Sequence, residues 1–510
     1  MKMNNIKSLL LLGAAVLSVA CSSDFLETEP TSRVSGDRQN ELLLEDPARI
    51  SSIIGGCYQT LYYGGTMRFN GRYDNGLTSY KIVGDILGDD MMDMLGSGFY
   101  SNDQNLIFHR ANYVRPTAMW SQFYNIISTI NPVITVLKSA ENPDEEIESM
   151  LGQAYALRAY SYYWLINFFQ HPYSVDPDAP GVLIYLDDPT KNVLGRAPVK
   201  DVYAVIDADF AEACRLLAGK KVPNTAIGEH MAAGMYANAL MFLGRYEEAA
   251  AKAEHATKGF RLGGAEDLLS GFNSLSMCEA MFGFAVTEEW NMIYASFMAM
   301  MNPYVDGYAV PGYYPIVASS NLVDNINPND IRKNWFGYKD ALNVNNPLVP
   351  SGKFDFSIVQ YLGCMPYVPN KFLCSPDFSA DVIYTHVAEF YFVAAEAHYL
   401  NNDATNARRM LNAVMSTRIP GYDCSNLSGQ ALYDEICFQK RVEMWGEGVR
   451  IFDAKRRDET FDRTKSSYYP ANLAGYDALT YKARDQRNTY QIPTREMDNN
   501  ENLTPEDQNP

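Results

Sequence analysis

The sequence predicts a mainly α-helical protein made of stacked helix pairs, with long irregular segments carried between the pairs. Three observations predict this. Residues 229–258 place Ala233, Ala237, Ala249, Ala253 and Ala256 where two helices approach closely, with Leu243, Gly244 and Tyr246 at a tight turn. Residues 387–415 repeat the pattern, with Ala394, Ala395 and Ala397 before an Asn-rich turn and Ala407 after it. Such small residues at fixed places are the grammar of a tetratricopeptide helix pair, whose period is about 34 residues. Between these pairs, residues 260–381 are rich in Gly, Pro, Asn and aromatics and keep no helical period.

At the start of the chain, Lys2 and Lys7 precede an apolar run from Leu9 to Val19, and Ala20 precedes Cys21. The run is shorter than the about 20 residues needed to span a bilayer. It reads as the export signal of a lipoprotein, residues 1–20, with a lipid carried by Cys21. Ser18 stands three places before the cysteine, where leucine is usual, and Leu17 lies one position earlier. Residues 21–45 read as a polar tether and 46–510 as the folded body.

Within that body, helical spacing predicts helices over Trp120 to Leu137, Glu146 to Phe169 and Val202 to Leu217. Pro198 fits the start of the third. Helical repeats are expected over about 118–258 and 383–456. Irregular insertions are expected over about 64–116 and 260–381, and long loops on a helical scaffold are where binding usually resides.

The formal charge of −19 argues against nucleic acid or an anionic bilayer bound through a basic patch. The eight cysteines include no CxxC, so neither a zinc spacing nor a disulfide framework is indicated. Apart from Cys21 they read mostly as buried thiols, although Cys364 and Cys374 are close enough in sequence to pair. The six histidines form no HExxH, and no GxSxG elbow, phosphate loop or dinucleotide fingerprint is present. No metal and no cofactor is expected. Asp85, Asp89, Asp90 and Asp93 are the best catalytic or metal candidates: a glycosidase needs two carboxyl groups flanking one bond, while the glycine and Glu of an EF-hand are missing. They read more simply as loop carboxylates that hydrogen-bond a ligand.

The chain carries 35 tyrosines, whose rings have an apolar face and a polar tip. Sugar binding needs aromatic faces beside Asp, Asn or Arg, in a concave surface. Two segments offer this mix: Asp89, Asp90, Phe99, Tyr100 and Asn102, and Trp290, Tyr294, Tyr308, Tyr313 and Tyr314. These ten are the candidate ligand-binding residues.

Four segments together resemble the SusD/RagB family of nutrient-binding lipoproteins. They are ALRAYSYYWLINFFQHPY (156–173), VAEFYFVAAEAHYL (387–400), ICFQKRVEMWGEGVRIFDAKRRDE (436–459), and the C-terminal IPTREMDNNENL (492–503) with DQNP. Gln170 and His386 stand where the family usually has Gly and Arg. The landmarks are Arg158, Glu389, Arg441, Glu443, Glu447, Gly448, Arg450 and Asp453. Glu443, Glu447 and Arg450, at i, i+4 and i+7, read as one helix face, with Arg450 able to pair with Glu447 in a structural ion network.

The resemblance implies a SusD-like α-helical scaffold at the outer face of an outer membrane, held there by the lipid. It also implies a SusC-like TonB-dependent transporter as partner. The ligand it implies is an oligosaccharide, captured without catalysis. The alternatives are the same role with peptides, or a surface enzyme using the Asp85–Asp93 region.

Overall fold

A computed structural model describes residues 44, 46–64, 75–94, 96, 98–309, 313–336, 367–467 and 469–510. The proposed signal, Cys21 and Cys364 lie outside the described residues. Helix α1 (Pro47–Tyr63) starts where Asp46 accepts from the Arg49 N–H and Pro47 supplies a preset φ. Helix α2 (Gly76–Ile86) is buried along its whole length, including Lys81 and Asp85. Helix α3 (Val114–Lys138) begins earlier than its apolar period indicates, because Arg115 is fully buried against Asp103 at 2.9 Å. Helix α4 (Glu145–Phe169) opens on Asp144, which accepts from the Ile147 N–H, and on three Glu residues suited to a helix N-terminus.

Helices α5 (Val199–Leu217), α6 (Glu229–Leu243) and α7 (Tyr246–Thr257) continue an array in which each packs on the one before. Gly244 closes α6 in the left-handed region at φ 71°, where a Cβ is costly. The five alanines singled out in α6 and α7 are all buried. After α7 the chain leaves the array and returns as α8 (Ala388–Leu400), which packs directly on α7. Gly234 of α6 shows how close these helices lie: a Cβ there would stand 2.2 Å from the Phe390 ring of α8. Helix α9 (Ala404–Met415) follows a turn at Asn402 (φ 62°), with Asp403 accepting from the Asn406 N–H. Helices α10 (Gly429–Glu443) and α11 (Arg450–Arg457) complete the body.

Among the described residues, three two-stranded antiparallel sheets fasten the irregular segments. β1 (Met91–Asp93) pairs with β3 (Ile316–Ala318), joining the two regions expected to carry ligand contacts. β2 (Ala280–Phe284) pairs with β4 (Val382–His386). That pair closes the neck of the excursion and lets α8 stack where an uninterrupted repeat would stand. β5 (Thr460–Asp462) pairs with β6 (Thr480–Lys482). One continuous apolar core runs from Ile50 to Leu503. Among the described cysteines, Cys57, Cys374 and Cys424 are buried and Cys214, Cys278 and Cys437 half-buried, all as free thiols.

Candidate ligand-binding site

The β1–β3 pairing decides which aromatic residues meet. Beyond β1 the Met94 N–H donates to the Pro315 carbonyl at 3.2 Å, so residues after 94 run beside residues before 315. Phe99 therefore meets Tyr308 edge-on at 4.7 Å between ring centroids and Tyr314 at 5.1 Å. Tyr294 lies 6.2 Å from Tyr308 and 5.6 Å from Phe378. The Ala299 carbonyl accepts from both the Tyr308 and Ala309 N–H groups, fixing the loop that presents Tyr308. Phe99 and Phe378 form a buried floor, Tyr308 and Tyr314 are half-buried, and Tyr294 and Tyr313 are 51% and 56% exposed. This is a tyrosine-faced surface over an apolar base, assembled from segments some 200 residues apart. Phe378 was not legible in the sequence, where nothing distinguishes it from a core phenylalanine.

The other candidates lie elsewhere. Tyr100 points inward: it is 2% exposed, lies over the Arg115 guanidinium at 5.3 Å, and is pushed up in pKa by burial. It is a core residue, so the expectation that it touches ligand is corrected. Asn102 is half-buried on the turn before α3, its carbonyl accepting from the Ile107 and Phe108 N–H groups. Trp290 belongs to a separate aromatic group, 4.8 Å from Tyr63 and 6.3 Å from Phe284, which stacks on Tyr62 at 4.1 Å.

Asp89 and Asp90 are held by arginines of the C-terminal landmark motif. Arg441 donates to Asp90 at 2.8 Å; Arg450 reaches Asp89 at 2.9 Å and Asp90 at 3.0 Å. Asp85 accepts from the backbone N–H of Gly446 at 2.7 Å and of Arg450 at 3.3 Å; burial pushes its carboxyl up to about 7. Asp93 is buried beside Gln104, whose side chain bonds the Asp93 backbone twice. Asp85, Asp89 and Asp90 thus hold α2 and the segment before β1 to the motif, since buried carboxylates need such donors.

The motif itself departs from a single helix face. Helix α10 ends at Glu443, and Gly446 (φ 84°) and Gly448 (φ 79°) turn the chain before α11 starts at Arg450. Arg450 therefore pairs with Asp89, Asp90 and Glu459 rather than with Glu447. A Cβ on Gly448 would stand 2.4 Å from the Lys81 Cα, so only glycine lets this turn seat on α2.

Glu443 takes Arg332 at 3.0 Å and also Arg418, while Glu447 takes Lys371 at 2.6 Å. His386 sits between them, Nδ1 3.0 Å from Glu447 and Nε2 3.4 Å from Glu443. Two carboxylate acceptors require both ring nitrogens to donate, hence an imidazolium. Burial alone would lower its pKa, but Glu447 and Glu443 push it up to about 9. Burial likewise opposes ionisation of Glu447, yet His386 and Lys371 bring it down to about 2.

Glu279, His386 and Glu443 place ligand-type atoms within 4.8 Å of one another. Arg418 already bridges both carboxylates, at 3.0 Å from Glu279, so their charge is balanced without a cation. Arg158 bonds Asp209 at 2.7 Å, Asp187 at 2.9 Å and Asn131 at 2.9 Å. Asp453 takes Lys440 at 2.7 Å and Arg457 at 3.0 Å, and buried Glu389 accepts from Asn238 at 2.8 Å.

Comparison with known proteins fits this frame. A family model described as starch-binding and associating with the outer membrane matches residues 24–237, and the SusD family model matches residues 379–510. Between them the two take in more than half of the chain. The chain belongs to the SusD family. A SusD superfamily structure from Bacteroides thetaiotaomicron superposes with a TM-score of 0.75 at 22% identity, covering 91% of this chain and 99% of that one. A SusD-like carbohydrate-binding protein from Bacteroides vulgatus gives 0.72 at 21% identity, covering 90% and 98%. SusD-like protein P2 of Formosa agariphila is 26% identical over 139 residues, which span 27% of this chain and 26% of that relative's length. Among the described residues of this SusD-family chain, no helix is long and apolar enough to cross a membrane.

Proposed function

We propose that this chain captures a glycan at the cell surface without cleaving it and passes it to a SusC-like TonB-dependent transporter. A lipid on Cys21 tethers it to the outer membrane and raises the effective concentration of the pair. The observation that carries the reading is the tyrosine surface of Tyr294, Tyr308 and Tyr314 over Phe99 and Phe378, with exposed Tyr313 adjoining Tyr314 in the chain. Rings with apolar faces and hydroxyl tips suit the alternating C–H and O–H surface of a sugar. Carboxylates that a hydrolase would need are engaged by Arg441 and Arg450 at the nearest acidic cluster.

Affinity electrophoresis against a panel of polysaccharides, followed by product analysis, tests the reading. Retarded migration with no shortened product is expected. Tyr294→Ala with Tyr313→Ala should lower affinity about tenfold, the usual effect of removing one anchoring ring, with the melting temperature unchanged. Released oligosaccharides, or unaltered retention in the double variant, would reject it.

A further inference from the structure

A cleft of about 560 Å³ opens between α3, the segment 183–185 and the C-terminal helix α12 (Thr494–Asn499). None of its lining residues belongs to the tyrosine surface. We infer that this cleft is a second saccharide site, taking a short neutral oligosaccharide. Its volume lies within the roughly 300–1,000 Å³ of small-molecule sites.

One wall is aromatic and fixed. Trp120 and Tyr124 lie 4.7 Å apart between ring centroids, and Tyr124 and Tyr185 5.8 Å. The Tyr124 hydroxyl donates to the Leu183 carbonyl at 2.9 Å, and Trp120 Nε1 donates to Glu496 at 3.3 Å. The Tyr185 backbone is pinned on both sides by the Tyr162 hydroxyl, at 2.7 and 2.9 Å. Tyr124 and Tyr185 are half-buried, and both line the cleft.

The opposite wall is equally held. The Tyr490 N–H donates to the Phe168 carbonyl at 2.8 Å, Gln491 N–H to His109 at 2.8 Å and Thr494 N–H to Ala111 at 3.2 Å. A site formed before binding pays little ordering entropy.

The polar groups select the ligand class. Arg495 and Glu496 carry opposite charges side by side, so the cleft has no net field to draw an anion or a cation. Glu496 accepts from Trp120 and from Asn500 at 2.9 Å, and a carboxylate has lone pairs left for hydroxyl donors. Ser121 and Ser128 add hydroxyls along α3. Aromatic faces opposite a charge-balanced set of donors and acceptors fit a ring with C–H faces and O–H edges. The choice of saccharide over other neutral polar molecules rests on the glycan reading above; the cleft itself does not.

The test uses the full chain labelled with 5-fluorotryptophan, with the Trp120 resonance assigned through Trp120→Phe. Maltotriose, laminaritriose, xylotriose and mannotriose serve as probes. At least one should shift the Trp120 signal saturably, and Tyr185→Ala and Arg495→Ala should each weaken that response about tenfold. Tyr294→Ala should leave it unchanged. Arg495 is exposed, so its variant keeps the test meaningful should Tyr185→Ala misfold. No shift with any probe at about 10 mM overturns the inference. So does a shift that survives Arg495→Ala undiminished, or one that vanishes with Tyr294→Ala. Failure of the tyrosine surface would instead appear as unaltered electrophoretic retention in the Tyr294 and Tyr313 double variant.

Discussion

His386 lies fully buried between Glu443 and Glu447, and its pKa of about 9 makes the landmark motif sensitive to alkaline pH. The folded state holds this proton more tightly than the unfolded chain, whose histidine titrates near 6.5. Its stabilisation is therefore complete below pH 6.5 and is lost as pH rises through about 9. A rise of about 2.5 pKa units corresponds to about 3 kcal/mol, at 1.36 kcal/mol per unit. Lys455 titrates in the same window with the opposite sign, because burial brings its ammonium down to about 7. Raising pH thus removes a cost at Lys455 while removing a benefit at His386, and Asp85, pushed up to about 7, adds a further titration to the raw stability curve.

His386→Arg separates them, since an arginine stays charged across the window and Lys455 is common to both proteins. Urea unfolding followed by tryptophan fluorescence, from about pH 6 to about pH 10, reads the difference. The wild type should lose about 3 kcal/mol relative to His386→Arg, with a slope approaching 1.4 kcal/mol per pH unit. A difference that stays flat through pH 9 would refute the doubly donating imidazolium and the network drawn around it.

Gly448→Ala should destabilise by about 2–5 kcal/mol, combining a left-handed φ of 79° with a Cβ 2.4 Å from Lys81, and the melting temperature checks it. Arg158→Met leaves Asp209 buried without its partner at 2.7 Å, so a loss of about 3–5 kcal/mol is expected in chemical denaturation. Asp90→Asn should lower stability while leaving glycan retention of the folded fraction intact, because that carboxylate serves Arg441 and Arg450; lost retention with an unchanged melting temperature would return Asp90 to the ligand site. Cys21→Ala should move the protein from the membrane to the soluble fraction on cell fractionation, with ligand affinity of the purified chain unchanged.

What the sequence determined by itself was local. Periodic apolar positions and small residues specify helices and their close approach within one or two turns, so α4, α5 and the α6–α7 and α8–α9 pairs were legible along the chain. So was the need for glycine at Gly244, where a turn follows a helix. The landmark residues were also recognisable as an ion network. Their partners were not, because Asp89 and Asp90 lie about 350 residues from Arg441 and Arg450. Only tertiary structure brings them within 3 Å. The break at Gly446 and Gly448 likewise depends on distant contacts, because a Cβ at these positions would collide with Phe372 and with Lys81 of α2.

The ligand surface was decided in the same way. Sequence marks Phe99, Tyr100, Trp290 and Tyr308 alike as aromatic residues in irregular segments. The β1–β3 register brings Phe99 to Tyr308 and Tyr314, Arg115 draws Tyr100 inward, and Tyr63 with Phe284 claims Trp290. In a helix the backbone period sets which way a side chain faces. In a loop that direction is set by contacts with distant residues, and no nearby residue encodes it.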